Sequence, residues 1–168
     1  SWCGAIFAGQ YYALDGHGVT ISGSQFNGNA AGQIGGAIYA ENTALSVTGT
    51  SFTDNTVAVD GKKNRGGAMY IDNNANTEIV ATVKDSTFTN NTAGYTADVS
   101  SPSEILWSDG GAIAFGGGVL NIDNTQFVSN SAGMGGAISQ WHTTPDHTAT
   151  DALNITNSAF TGNMANAG

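Results

Sequence analysis

Thirteen carboxylates, three histidines, one cysteine and four basic residues carry the ionisable and metal-binding chemistry open to this chain near neutral pH. Cleaving a glycosidic bond would need carboxylates clustered on one face, with a Lys or Arg base or metal-bound Asp beside them. No such convergence is present. Asp85 and Asp123 fall at different registers of a repeated segment, and most other acids sit in turns or insertions. No catalytic residue is therefore expected.

Metal chemistry is no better supplied. His142 and His147 share a segment with Asp146 and Asp151, which are reasonable ligand types, but a solvated polar loop is the expected reading. Asp72-Asn-Asn-Ala-Asn lacks the regular spacing and terminal Glu of a dedicated Ca²⁺ loop. Gly116-Gly-Gly118 is not followed by the Lys-Ser/Thr of a phosphate loop. Cys3 is alone and cannot form an internal disulfide. The expectation is no metal and no cofactor.

Binding is the chemistry that remains. Lys62, Lys63 and Arg65 are three of the four basic residues and lie within seven positions of one another, from Val59 onward. The stretch from Thr92 to Asp109 holds Tyr95 and Trp107, and that from Gln140 to Thr150 holds Trp141, both read as insertions between the repeats. Aromatic side chains on loops leaving a rigid scaffold suit protein or glycan ligands. The competing expectation is that Trp107 and Trp141 fold back over the scaffold's flank. Asn90 and Asn154 match the Asn-x-Ser/Thr acceptor pattern, which matters only in a eukaryotic secretory host.

Composition narrows the partners. Charged residues are 10% of the chain and the net charge is −9, where about 25% charged is usual. Such a chain is repelled by phosphate backbones and anionic headgroups, so nucleic acid is excluded as a partner. No apolar run approaches the ~20 residues of a membrane span, so no direct membrane insertion is expected. Yet 40% of residues are apolar, enough for a packed core.

The elements that must hold these residues are repeats. Five octads align without gaps: Val19 to Phe26, Leu45 to Phe52, Ala81 to Phe88, Leu120 to Phe127 and Leu153 to Phe160. Each has aliphatic or Ala side chains at its first and third positions, Ser or Thr at its sixth and Phe at its eighth. Three residues beyond each Phe stands Asn: Asn29, Asn55, Asn91, Asn130 and Asn163. A second motif, Gly-Gly-Ala followed by Ile or Met, begins at Gly35, Gly66, Gly110 and Gly135, with Cys3-Gly-Ala-Ile6 as a variant. Excess length between repeats always falls between motifs, as insertions do on a fixed scaffold.

The apolar alternation has period two, so the motifs read as strands. Equivalent strands stacked ~4.8 Å apart would align the Phe residues in one column and the Asn residues in another. This predicts an all-β, right-handed parallel β-helix of about five coils with three strands per coil. It forms a single domain over residues 1–168, expected to be a segment of a longer repeat protein.

The alternating Gly-Gly-Ala-Ile and Phe-x-x-Asn tetrapeptides, from Cys3 to Asn163, resemble the repeats of the polymorphic outer membrane proteins, best known from chlamydial surface autotransporters. The resemblance implies a surface-exposed or secreted β-helical passenger, with adhesion as the usual role and outer-membrane attachment if the chain belongs to an autotransporter. The sequence departs from that family in lacking a C-terminal membrane barrel. The expected function is a non-enzymatic extracellular adhesin or display scaffold whose partner is a cell-surface protein or glycan. Two alternatives stand beside it: a subunit stacking end to end on its own copies into a filament or sheath, and a carbohydrate-binding or carbohydrate-active module.

Overall fold

The computed structural model describes residues 2–9, 18–58, 64–73, 79–94, 108–141 and 152–166. These residues are all-β with no helix, and every strand pairing is parallel. Four five-stranded sheets run side by side, and a two-stranded sheet joins Asn64–Arg65 to Ser108–Asp109. In each five-stranded sheet the strands follow chain order, so every repeat pairs only with the repeats before and after it. The first sheet contains Ile6–Gly9, Ile38–Glu41, Met69–Asp72, Ile113–Gly116 and Ile138–Trp141. The second contains Gly18–Ser22, Ala44–Thr48, Val80–Lys84, Val119–Asp123 and Ala152–Thr156. Strands bearing the Phe residues make the third sheet, and the short strands after each Asn make the fourth.

The octad is not one strand, which is why three strands per repeat is too few. Its fifth position is left-handed in every repeat: Gly23, Gly49, Asp85, Asn124 and Asn157 have φ between 45° and 57°. Gly, Asn and Asp adopt that conformation at least cost. The chain bends there, and the octad divides between the second and third sheets. A second left-handed residue follows each Phe by two positions, at Gly28, Asp54, Asn90, Ser129 and Gly162, and turns the chain into the fourth sheet.

The core lies between the sheets, in columns. Phe26, Phe52, Phe88, Phe127 and Phe160 stack with centroid spacings of 4.9, 4.6, 5.0 and 4.7 Å and interplanar angles of 7° or less. The three middle rings are fully buried. Each such pair contributes about 0.5–1.5 kcal/mol beyond the area it buries. The Asn column is a directional ladder. Asn55 donates from its backbone N–H and its Nδ2 to Asn91 Oδ1, at 3.1 and 2.9 Å, and Asn91 does the same to Asn130. The same amide nitrogen also donates backward to the Phe carbonyl of the preceding repeat, as from Asn91 to Phe52. A fully buried polar side chain is thereby satisfied by its own copies.

The two motif glycines do different work. The first of each pair (Gly35, Gly66, Gly110, Gly135) has φ between 59° and 67°. The second packs backbone on backbone: a Cβ on Gly67 would fall on the carbonyl oxygen of Gly111, and one on Gly111 on that of Gly136. Only hydrogen fits there.

Candidate functional site

The junctions between sheets show where the stack varies in length. Two residues separate the second from the third sheet in every repeat, and two separate the third from the fourth. The fourth-to-first and first-to-second junctions are instead of unequal length: Asn42 and Thr43 suffice in one repeat where residues 73–79 or 142–151 intervene in others. Both variable junctions flank the first sheet. In chain order, residues 59–63 and 95–107 belong to the fourth-to-first junction, and 10–17, 74–78 and 142–151 to the first-to-second junction.

The outer face of that sheet carries a second cluster. Ile38 and Ala40 point into the main core, so Tyr39 and Glu41 point outward, and register places Tyr70 and Asp72 beside them. Tyr39 and Tyr70 stack at 5.1 Å. The next repeat offers only Ala114 and Gly116 at those positions. Trp141, one repeat further along, lies across that gap and stacks on Tyr70 at 6.2 Å and 9°. Gly116 leaves room for it, since a Cβ there would meet the indole at 3.1 Å.

Arg65 completes the cluster. Its guanidinium carbon lies 3.5 Å from the Trp141 ring centroid and 5.9 Å from that of Tyr70, geometry suited to cation–π attraction. It donates to the Tyr70 hydroxyl at 3.2 Å, and that hydroxyl donates to Asp72 Oδ2 at 2.7 Å. Arg65 Nε stands 3.4 Å from Asp109 Oδ2, with both side chains almost wholly buried. Burial pushes the Asp109 carboxyl above its ordinary value, while Arg65 opposes the shift. Burial and neighbouring carboxylates also push the Tyr39 and Tyr70 hydroxyls far up, so both stay protonated.

Asn64 and Ser108, the first residues of the two strands of the two-stranded sheet, tie that sheet to the stack. Asn64 Nδ2 donates to the Gly94 carbonyl at 2.9 Å. Ser108 Oγ donates to Ala93 O and accepts from Gly133 N–H, both at 2.9 Å. Arg65, from the two-stranded sheet, thus covers the Tyr70–Trp141 part of the first sheet's outer face.

Of the expected binding residues, Arg65 and Trp141 come together here, but not on projecting loops. Arg65 is buried in a strand because its charge is met by Asp109 and two ring faces. Trp141 folds back over the flank, the alternative that its sequence context had left open. Tyr95, Trp107, Lys62 and Lys63 lie outside the described residues, as do His142, His147, Asp146 and Asp151. Asp72 belongs to the buried cluster rather than to a cation loop. Asp85 and Asp123 sit at neighbouring turns, where Asp85 accepts from Asn124 at 2.7 Å and Asp123 from Thr156 and Asn157 at 2.9 Å. Those bonds, with Lys84 3.8 Å away, hold the Asp123 carboxyl below its ordinary value. Among the described residues no group of three or more His, Cys, Asp or Glu is placed to hold a metal ion.

Tyr39, Tyr70 and Asp109 also belong to the cluster and are not among the expected binding residues. Tyr follows the Ile or Met of the Gly-Gly-Ala motif at the same register in two successive repeats, which was the available signal. A separate open groove of about 480 Å³ runs over the second sheet, lined by Thr20, Ser46 and Thr82 hydroxyls with half-exposed Val80 among them.

No family model, no curated protein and no solved structure matches this chain. The function rests on the geometry alone.

Proposed function

We propose that this chain is the rod of a cell-surface or secreted adhesin or display scaffold, non-enzymatic, whose insertions bind a protein or glycan. The observation that carries the reading is the confinement of variable length to the two junctions beside the first sheet. Recognition loops vary while the frame that carries them does not. Two junctions of constant length and two of unequal length are the pattern that division produces. In this reading the parallel stack is a right-handed β-helix of five coils, the hand that parallel strand crossovers take almost without exception. Lys62, Lys63, Tyr95 and Trp107 supply the contacts, while Arg65 and Trp141 hold the loop bases in place.

Binding of the purified chain to intact cells and to a glycan array tests this. Trp107→Ala and Lys62→Ala/Lys63→Ala are expected to lose binding at an unchanged melting temperature. Trp141→Ala is expected to lower both. Equal binding by all three variants and the parent, or no binding by the parent to any cell or glycan, would overturn the proposal.

A further inference from the structure

Three aromatic rings on the outer face of the first sheet form a stack with charge arranged along it. Tyr39 and Tyr70 are almost wholly buried and stack at 5.1 Å. Trp141, half-buried, stacks on Tyr70 at 6.2 Å. Each tyrosine hydroxyl meets a carboxylate two residues along its own strand: Tyr70 donates to Asp72 Oδ2 at 2.7 Å, and Tyr39 to Glu41. At the tryptophan end stands a cation, the Arg65 guanidinium carbon lying 3.5 Å from the Trp141 ring centroid. A phenol whose proton already has an acceptor gives up an electron more readily. The proton leaves with the electron, and no new charge is buried on the ring.

We infer that Trp141, Tyr70 and Tyr39 relay a one-electron oxidising equivalent from the surface into the fold and hold it there as a buried tyrosyl radical. The co-reactant is an outer-sphere one-electron oxidant that meets the exposed part of Trp141 and is reduced by the electron it takes. The indole becomes a radical cation, which the guanidinium beside it destabilises. Tyr70 then passes an electron to the indole, restoring Trp141, while the Tyr70 proton moves to Asp72. In the second step Tyr39 passes an electron to Tyr70, which takes its proton back from Asp72, and the Tyr39 proton moves to Glu41. Charge sets the direction. An oxidised tyrosine with its protonated carboxylate carries one more unit of positive charge than the resting pair, so it is favoured away from Arg65 and among carboxylates. Tyr39 has both Glu41 and Asp72 acting on it. The inference is independent of ligand binding by the insertions.

Flash oxidation of the whole chain by photogenerated tris(bipyridine)ruthenium(III), followed by transient absorption and electron paramagnetic resonance, tests the relay. In the parent, part of the tryptophan radical signal is expected to decay as a tyrosyl signal rises, and the rise to slow in deuterium oxide. Tyr70→Phe keeps the stacked ring and is expected to slow that rise severely. Tyr39→Phe is expected to keep the rise and shorten the lifetime of the signal. Both variants retain Tyr11, Tyr12 and Tyr95, so a tyrosyl signal of unchanged rise and lifetime in folded Tyr70→Phe overturns the inference. A parent whose tryptophan radical decays with no tyrosyl rise, or whose rise is the same in deuterium oxide, overturns it too, and neither reading needs a variant to fold.

Discussion

The buried asparagines show how one side chain depends on its copies. Asn91 gives Nδ2 to Phe52 O and to Asn130 Oδ1, and takes two donors from Asn55. Asn29 donates to Asn55 and is only half-buried. Replacing Asn91 by Ala orphans groups on both sides of it, each costing about 1–3 kcal/mol. Asn91→Ala is therefore expected to destabilise by about 3 kcal/mol or more, and Asn29→Ala by far less. Urea unfolding of both variants checks this, and equal losses would deny the ladder its directional stacking. The Asn-to-Asn spacing was visible in the sequence because identical residues stacked in register are its only economical use. Arg65 was not legible in the same way. A basic residue near two lysines reads as solvated until a buried Asp109 is placed against it.

Among the elements, the turns decide the cross-section. Positions that are Gly in some repeats and Asn or Asp in others, such as Gly49 against Asn124, need only the left-handed backbone and have open space for a side chain. Gly111 needs the absence of Cβ itself, because Gly136 and Ser131 backbone atoms occupy that space. Gly49→Asn is accordingly expected to change stability by no more than about 0.5 kcal/mol, and Gly111→Ala to cost more than about 2 kcal/mol. Thermal melts of the pair discriminate: comparable losses would mean that the two glycines serve one purpose. Apolar alternation made the strands predictable. The bend inside the octad was hidden because Gly, Asp and Asn at one position resemble ordinary surface variation, and only five φ values of one sign reveal the shared conformation.

At the scale of the molecule, strands pair only with those of the repeats beside them, with Trp141 reaching past one repeat to Tyr70 and Arg65, so stability is largely a sum of nearest-neighbour terms along the axis. Amide hydrogen exchange at low concentration is expected to be slowest at Val47, Val83 and Ile122, fully buried in the middle repeats, and fastest at Ile155. Uniform protection throughout would contradict a stack of nearest-neighbour interfaces. The sequence by itself determined the repeat, the parallel all-β stack and the Phe and Asn columns, because a side chain recurring at fixed register can be buried only against its own copies. Only the tertiary structure decided that Arg65 is buried against Asp109 and that Trp141 reaches past Gly116 to Tyr70 and Arg65. Those contacts depend on where loops of unequal length return the chain to the stack, and periodicity carries no information about that.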